Sequence, residues 1–167
     1  HNGNLTNAQE LKRDLYLSDR RHVNTESDSE VLLNILAHEL QIQPGMKPAP
    51  GQIFKAVEAV HRRCSGGYAS IALFPGYGLE AIRDPHGIRP IVYGSRETAT
   101  GKEYAVASES VALDVLGFEL ERDIAPGEAV FLREGGGLHA RVCGQPAGYT
   151  PCIFEHVYFA RPDSIID

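Results

Sequence analysis

The sequence predicts an α+β layered fold in which helices cover antiparallel β-structure. Two patterns carry that expectation: helical periodicity dominates the first 64 residues, and short apolar runs separated by turn residues dominate the remainder. Size agrees, since 167 residues with 43% hydrophobic and 23% charged content suit one soluble domain with a substantial core.

The elements follow in order. Thr6-Asn7-Ala8-Gln9 fits a capping box, so a short helix is expected to carry Leu11, Leu15 and Leu17 toward the core. Ser27-Asp28-Ser29-Glu30 is a second box, followed by Val31, Leu32, Ile35, Leu36 and Leu40 at three- and four-residue spacing; residues 28 to 41 read as an amphipathic helix. Pro44 to Gly51 is a connector, and Ile53, Val57, Val60 and Cys64 mark a third helix that ends at Gly66-Gly67. Tyr68 to Phe74 is an almost continuous apolar run, expected as a strand buried on both faces. Pro75-Gly76-Tyr77-Gly78 turns it into a hairpin with Leu79 to Arg83. Ile91 to Gly94, Tyr104 to Ala107, Phe118 to Leu120, Ala129 to Leu132, Leu138 to Val142 and Ile153 to Phe159 read as further strands, with a short helix over Glu109 to Leu116. Gly135-Gly136-Gly137 falls between strands and reads as a hairpin tip rather than a phosphate loop.

Composition excludes several classes of function. The net charge of −6 and the lack of a basic run argue against nucleic acid or an acidic membrane surface as partner. No apolar run approaches the roughly 18 residues of a membrane span, and no signal peptide precedes the first helix. Cys64, Cys143 and Cys152 are an odd, widely spaced set without a CxxC, which is neither a disulfide framework nor a zinc site. A cytoplasmic, reduced chain is expected. It opens on His1-Asn2-Gly3 without a methionine and closes on Ser164-Ile165-Ile166-Asp167 without a helical stop, so a fragment lacking sequence on both sides is expected.

Three places could carry chemistry, each with a structural alternative. Asn2-Gly3 is either a tight turn or a pair of hydrogen-bond donors aimed at a reacting atom. Asp28 either caps its helix or, since Ser27 and Ser29 compete for the same N–H groups, is left free to hold an ammonium group. Asp84-Pro85-His86-Gly87-Ile88-Arg89-Pro90 reads as a turn between strands; in the functional alternative His86 is a base and Arg89 binds a carboxylate or pins the loop to Asp84. None of the cysteines has an adjacent base that would make it a nucleophile.

The ordered segments HNGNLTN, TESDSEVLLNILAHE, GGYASIAL, RDPHGIRPIVYG, YAVASESVALD, DIAPGEAV and CIFEHVYFARPDSIID resemble, over essentially the whole chain, the glutaminase domain of the amidophosphoribosyltransferases, within the class II glutamine amidotransferases. The closing segment is the most particular to that family, which more often has Tyr where His156 stands. The resemblance implies an N-terminal-nucleophile hydrolase fold, an αββα sandwich of two antiparallel sheets with helices outside. Residues 1–150 would be the amidotransferase domain and 151–167 an exit strand toward a phosphoribosyltransferase domain.

By that resemblance an N-terminal cysteine attacks the side-chain amide of glutamine. Asn2 and Gly3 hold the oxyanion, and Asp28 holds the α-ammonium group. Ammonia then passes to phosphoribosyl pyrophosphate, giving phosphoribosylamine for purine synthesis, with Mg2+ bound by the second domain. No metal is expected in this chain; Cys152, three residues before Glu155, matches one ligand of the iron–sulfur cluster that some members carry, but a structural role is favoured because one thiol cannot hold a cluster. The family implies a homo-oligomer, dimer or tetramer. Without the nucleophile these 167 residues alone are expected to be inactive. The alternatives are another class II amidotransferase or a non-catalytic remnant that serves as a binding module.

Overall fold

The structure, a computed structural model, describes residues 1–45, 47–145 and 147–165. Helices α1 (Ala8–Leu17), α2 (Asp28–Gln41) and α3 (Pro50–Arg63) form one outer layer. Their inward stripes, Leu11 and Leu15, then Val31, Leu32, Ile35 and Leu36, then Ile53, Val57 and Val60, are buried as the periodicity requires. They pack on one face of a five-stranded antiparallel sheet through Tyr68, Ile82, Ala129 and Phe131. That sheet has the order β1 (Asn2–Leu5), β2 (Gly66–Phe74), β3 (Gly78–Arg83), β7 (Glu128–Arg133), β8 (Leu138–Val142).

Alternation along each strand points the intervening residues the other way. Ala69, Ala81, Val130 and Leu132 therefore meet Ile91, Tyr93 and Ile124 in a second core. This core joins the first sheet to a three-stranded one of order β5 (Gly101–Ala107), β4 (Val92–Thr98), β6 (Glu119–Asp123). Helix α4 (Ser110–Val115) closes the far side, its Leu113 buried against Gly94. The result is an αββα sandwich with a thin fourth layer, the architecture the sequence predicted.

Several local expectations are corrected. Asn2-Gly3 is not a turn: it lies in β1, with Asn2 opposite Ala69 and Gly3 opposite Tyr68. The Thr6–Gln9 box does not form, because α1 starts at Ala8 and Asn7 works elsewhere, donating to the Arg63 carbonyl and accepting from Ser65 N–H. Leu17 is 60% exposed, since a two-residue step from Leu15 crosses to the opposite side of a helix. Glu30 does not close the second box; it accepts from the N–H groups of Asn24 and Thr25, which hold its carboxyl down to about 2. Strand β2 is not buried on both faces: Ile71 is 44% and Leu73 73% exposed, because the narrow second sheet covers only the Ala69 end of that face. The expected exit strand at residues 153–159 is instead a single π-helical turn, Glu155–Phe159, closed by Ala160 N–H to the Glu155 carbonyl. Met46 within the expected connector and the last two residues, Ile166 and Asp167, lie outside the described residues.

Candidate functional site

The site is built on β1. Thr6 N–H points toward β2, donating to the Ser65 carbonyl, whereas Leu5 N–H points away and meets the Asp28 carboxylate at 2.9 Å. Backbone groups alternate along a strand, so Gly3 N–H faces the same open edge as Leu5 N–H. Two residues of strand rise separate them by roughly 7 Å. Gly3 is required where it stands: its φ is +132°, and a Cβ there would lie 2.1 Å from the Gly67 carbonyl oxygen. Only a residue without a side chain lets β1 approach β2 this closely.

Asp28 reaches the edge from the start of α2. Ser27 takes the capping role, its Oγ accepting from Ser29 N–H, which frees the neighbouring carboxylate. Its Oδ2 is held by Leu5, and its Oδ1 faces His1 Nδ1 at 3.6 Å. His1 Nδ1 also contacts Ser29 Oγ at 2.8 Å. The structure thus brings Asn2, Gly3 and Asp28 onto one short strand and its flank, although 26 positions separate Asn2 from Asp28 in the sequence.

A cleft of about 690 Å³ at β1 is lined by Asn2, Gly3, Arg89, Cys152, Glu155 and Phe159, among others. Arg89 Nη2 donates to Asn2 Oδ1 at 2.7 Å and stands 2.7 Å from Glu155 Oε1. The second contact is off-axis: Glu155 Oε1 and Arg89 Nε are buried without a directional hydrogen bond. Phe159 lies beneath the guanidinium, 5.4 Å from ring centre to Cζ.

Residues 84–90 hold Arg89 rigidly, so the turn reading of this loop stands. The fully buried Asp84 carboxylate accepts from the N–H groups of Tyr68, His86, Ile88 and Arg89. Arg83, equally buried, donates to the carbonyls of Arg89, Ile124 and Gly87. The Arg89 guanidinium does not pin the loop to Asp84; only its backbone N–H does, and the side chain reaches Asn2 and Glu155 instead. His86 lines a second cavity beside His61 and Cys143, on the α3 side.

Burial pushes the thiols of Cys64 and Cys143 up to about 12, as inert thiols require. Cys152 is at the rim of the β1 cleft. Among the described residues no cluster of three or more His, Cys, Asp or Glu side chains could hold a metal ion. Among them, too, no helix is long and apolar enough to cross a membrane. Sequence reasoning missed the roles of Arg89 and Glu155. The available signal was two charged residues, each set beside apolar ones, in segments that were read as a loop and a strand.

An αββα sandwich of antiparallel sheets between helices is the fold of the N-terminal-nucleophile hydrolases. The chain belongs to the glutamine amidotransferase domain family, whose signature matches residues 1–115. Over its full 167 residues it is 60% identical to the amidophosphoribosyltransferase of Pseudomonas aeruginosa and covers 33% of that protein. Against the amidophosphoribosyltransferase of Escherichia coli it is 53% identical over 168 residues, covering all of this chain and 33% of the relative. The solved glutamine phosphoribosylpyrophosphate amidotransferase of Bacillus subtilis, complexed with ADP and GMP, superposes with a TM-score of 0.77 at 31% identity, over 99% of this chain and 33% of that one. The chain therefore spans about a third of the length of the relatives it matches.

Proposed function

We propose that this chain is the glutaminase part of an amidophosphoribosyltransferase, supplying the oxyanion hole and the amino-acid anchor for glutamine hydrolysis. The observation that carries the reading is the shared open edge of β1, where Gly3 N–H stands two residues from Leu5, whose N–H is bound to the Asp28 carboxylate. A glutamine lying along that edge puts its α-ammonium on Asp28 Oδ1 and its side-chain carbonyl at Gly3 N–H. Asn2 adds an amide NH2 beside it, a donor that never ionises and suits a charge present only in the transition state. In this reading the attacking thiolate is neither Cys64 nor Cys143, whose thiols burial pushes up to about 12.

Thiolate attack on the amide carbon moves the C=O electron pair onto oxygen, where Asn2 and Gly3 stabilise it. The proton the thiol lost on ionising is delivered to the leaving nitrogen, so collapse expels ammonia and leaves a thioester, which water cleaves to glutamate and the free thiol. Ammonia is then consumed at phosphoribosyl pyrophosphate, bound with Mg2+ by a second domain that docks beyond residues 151–167. The whole protein works as a homo-oligomer.

The test uses the full-length gene product, with glutamate release from glutamine and pyrophosphate release from phosphoribosyl pyrophosphate both measured. Glutamine-dependent pyrophosphate release separates this enzyme from other class II amidotransferases. Asn2→Ala is expected to lower the glutaminase kcat by about 100- to 1,000-fold with KM nearly unchanged. Unchanged kcat in that variant would remove Asn2 from the oxyanion hole.

A further inference from the structure

An Asn side chain serves as an oxyanion donor only if its NH2 end, and not its oxygen, faces the reacting atom. The two ends are alike in size, so something must choose between them. In this protein Arg89 Nη2 sits 2.7 Å from Asn2 Oδ1. A guanidinium has five donors and no acceptor, so an amide turned the other way would set donor against donor. Arg89 is not free to drift: its backbone N–H is bound to the buried Asp84 carboxylate, and its carbonyl accepts from Arg83. Glu155 also stands 2.7 Å from the same Nη2, its side chain only 8% exposed.

We propose that Arg89 is a positioning residue for Asn2, fixing the amide so that its NH2 is the end offered to the oxyanion, and that Glu155 sets where the Arg89 guanidinium stands. The proposal rests on the glutaminase reading and deepens it. Its consequence is a physical link from the C-terminal turn to the chemistry. Glu155 opens the turn that ends at Phe159, and the outer residues of that turn, Val157 and Tyr158, are exposed and apolar. A shift of that turn therefore moves Glu155, then Arg89, then the donor on β1. The competing role for Arg89, direct binding of a ligand carboxylate, makes a different kinetic prediction.

The experiment is steady-state glutaminase kinetics of the full-length gene product carrying Arg89→Gln, alone and combined with Asn2→Ala. Arg89→Gln is expected to lower kcat about 10-fold or more while KM changes less than about twofold, the pattern of a lost transition-state interaction. In the Asn2→Ala background the same change should cost nothing further, since residues acting through one another are not additive. Alkylation of the catalytic thiol by iodoacetamide, a displacement that forms no oxyanion, should keep its rate. A raised KM with kcat unchanged would show that Arg89 binds substrate and would overturn the proposal, as would multiplicative losses in the double variant. If Asn2→Ala itself leaves kcat intact, the oxyanion reading falls and the tether falls with it. Loss in Asn2→Ala with multiplicative Arg89→Gln removes the tether alone. Should Arg89→Gln not fold, Glu155→Gln carries the test: about a threefold fall in kcat, absent in the Asn2→Ala background, supports the link, and an equal fall in both backgrounds refutes it.

Discussion

Replacing Asp28 by Asn tests the amino-acid anchor with the smallest possible change. The Asp28 side chain is 19% exposed, with Oδ2 committed to Leu5 N–H at 2.9 Å and Oδ1 open toward His1 at 3.6 Å. Leu5 N–H can be satisfied only by an acceptor, so the Asn variant keeps its oxygen there and presents its NH2 where Oδ1 stood. A charge-assisted acceptor is thereby exchanged for a donor facing an ammonium group. Hydrogen bonds to charged groups are worth about 1.5–3 kcal/mol, which corresponds to roughly 10- to 150-fold in kcat/KM. The loss should appear in KM, because the ammonium is held equally in the ground and transition states. Stability should hardly change, since the bond to Leu5 survives in neutral form at a cost of about 1 kcal/mol or less. The assay is glutamate release against glutamine concentration, repeated with glutaramic acid, which lacks the α-amino group. Asp28→Asn should lose the preference for glutamine over glutaramic acid. A KM within twofold of the parent, with that preference retained, would refute the assignment of Asp28 to the ammonium group.

Other perturbations bear on the scaffold. Asp84→Ala leaves the N–H groups of Tyr68, His86, Ile88 and Arg89 without their acceptor in a buried loop; a loss of about 3–5 kcal/mol by chemical denaturation is expected, and less than 1 kcal/mol would contradict it. Glu80 is fully buried with neither carboxylate oxygen hydrogen-bonded, and burial raises its pKa well above the ordinary 4.5. The unfolded chain ionises there while the folded chain keeps the proton. The contribution of Glu80 therefore falls as pH rises through 4.5, at up to about 1.4 kcal/mol per pH unit until the folded pKa is reached. Glu80→Leu should abolish that decline and raise the melting temperature most at neutral pH; an unaltered pH profile of melting would count against it. Burial holds His61 down at about 4 from 6.5, so between those values its contribution rises with pH and opposes that of Glu80. In Glu80→Leu the His61 slope should stand alone, with stability lost as pH drops from 6.5 toward 4.

The helical half of the fold was legible because its signal is local. Val31, Leu32, Ile35 and Leu36 declare a buried stripe whatever they pack against, and α2 runs from Asp28 to Gln41 as read from the sequence. The hairpins were equally local, the Phe74 and Gly78 pairing being set by the turn between them. What failed depended on distant partners. An apolar run cannot reveal whether a second sheet reaches over it, and Ile71 and Leu73 are left largely uncovered. The aromatic and β-branched segment Phe154 to Phe159 has strand-like composition, yet the structure coils it into a turn whose Glu155 carboxylate meets Arg89.

The candidate site divides along the same line. Asn2, Gly3 and Asp28 stand in segments whose order and composition resemble a family, so the sequence marks them as candidates. The roles of Arg89 and Glu155 are not marked, because 87 positions separate Arg89 from Asn2 and 66 separate it from Glu155. Two requirements follow if Asn2 is the oxyanion donor. Asn2 must be oriented by something that carries only donors, and Arg89 must be held by something buried and acidic if its charge is to remain beside a largely apolar turn. Glu155 meets the second need at the rim of the same cleft that Asn2 lines. A neutral residue at either position would leave a charge uncompensated or an amide undirected. The strand edge thus supplies the donors, and the Asp84 loop and the C-terminal turn together decide which way they face.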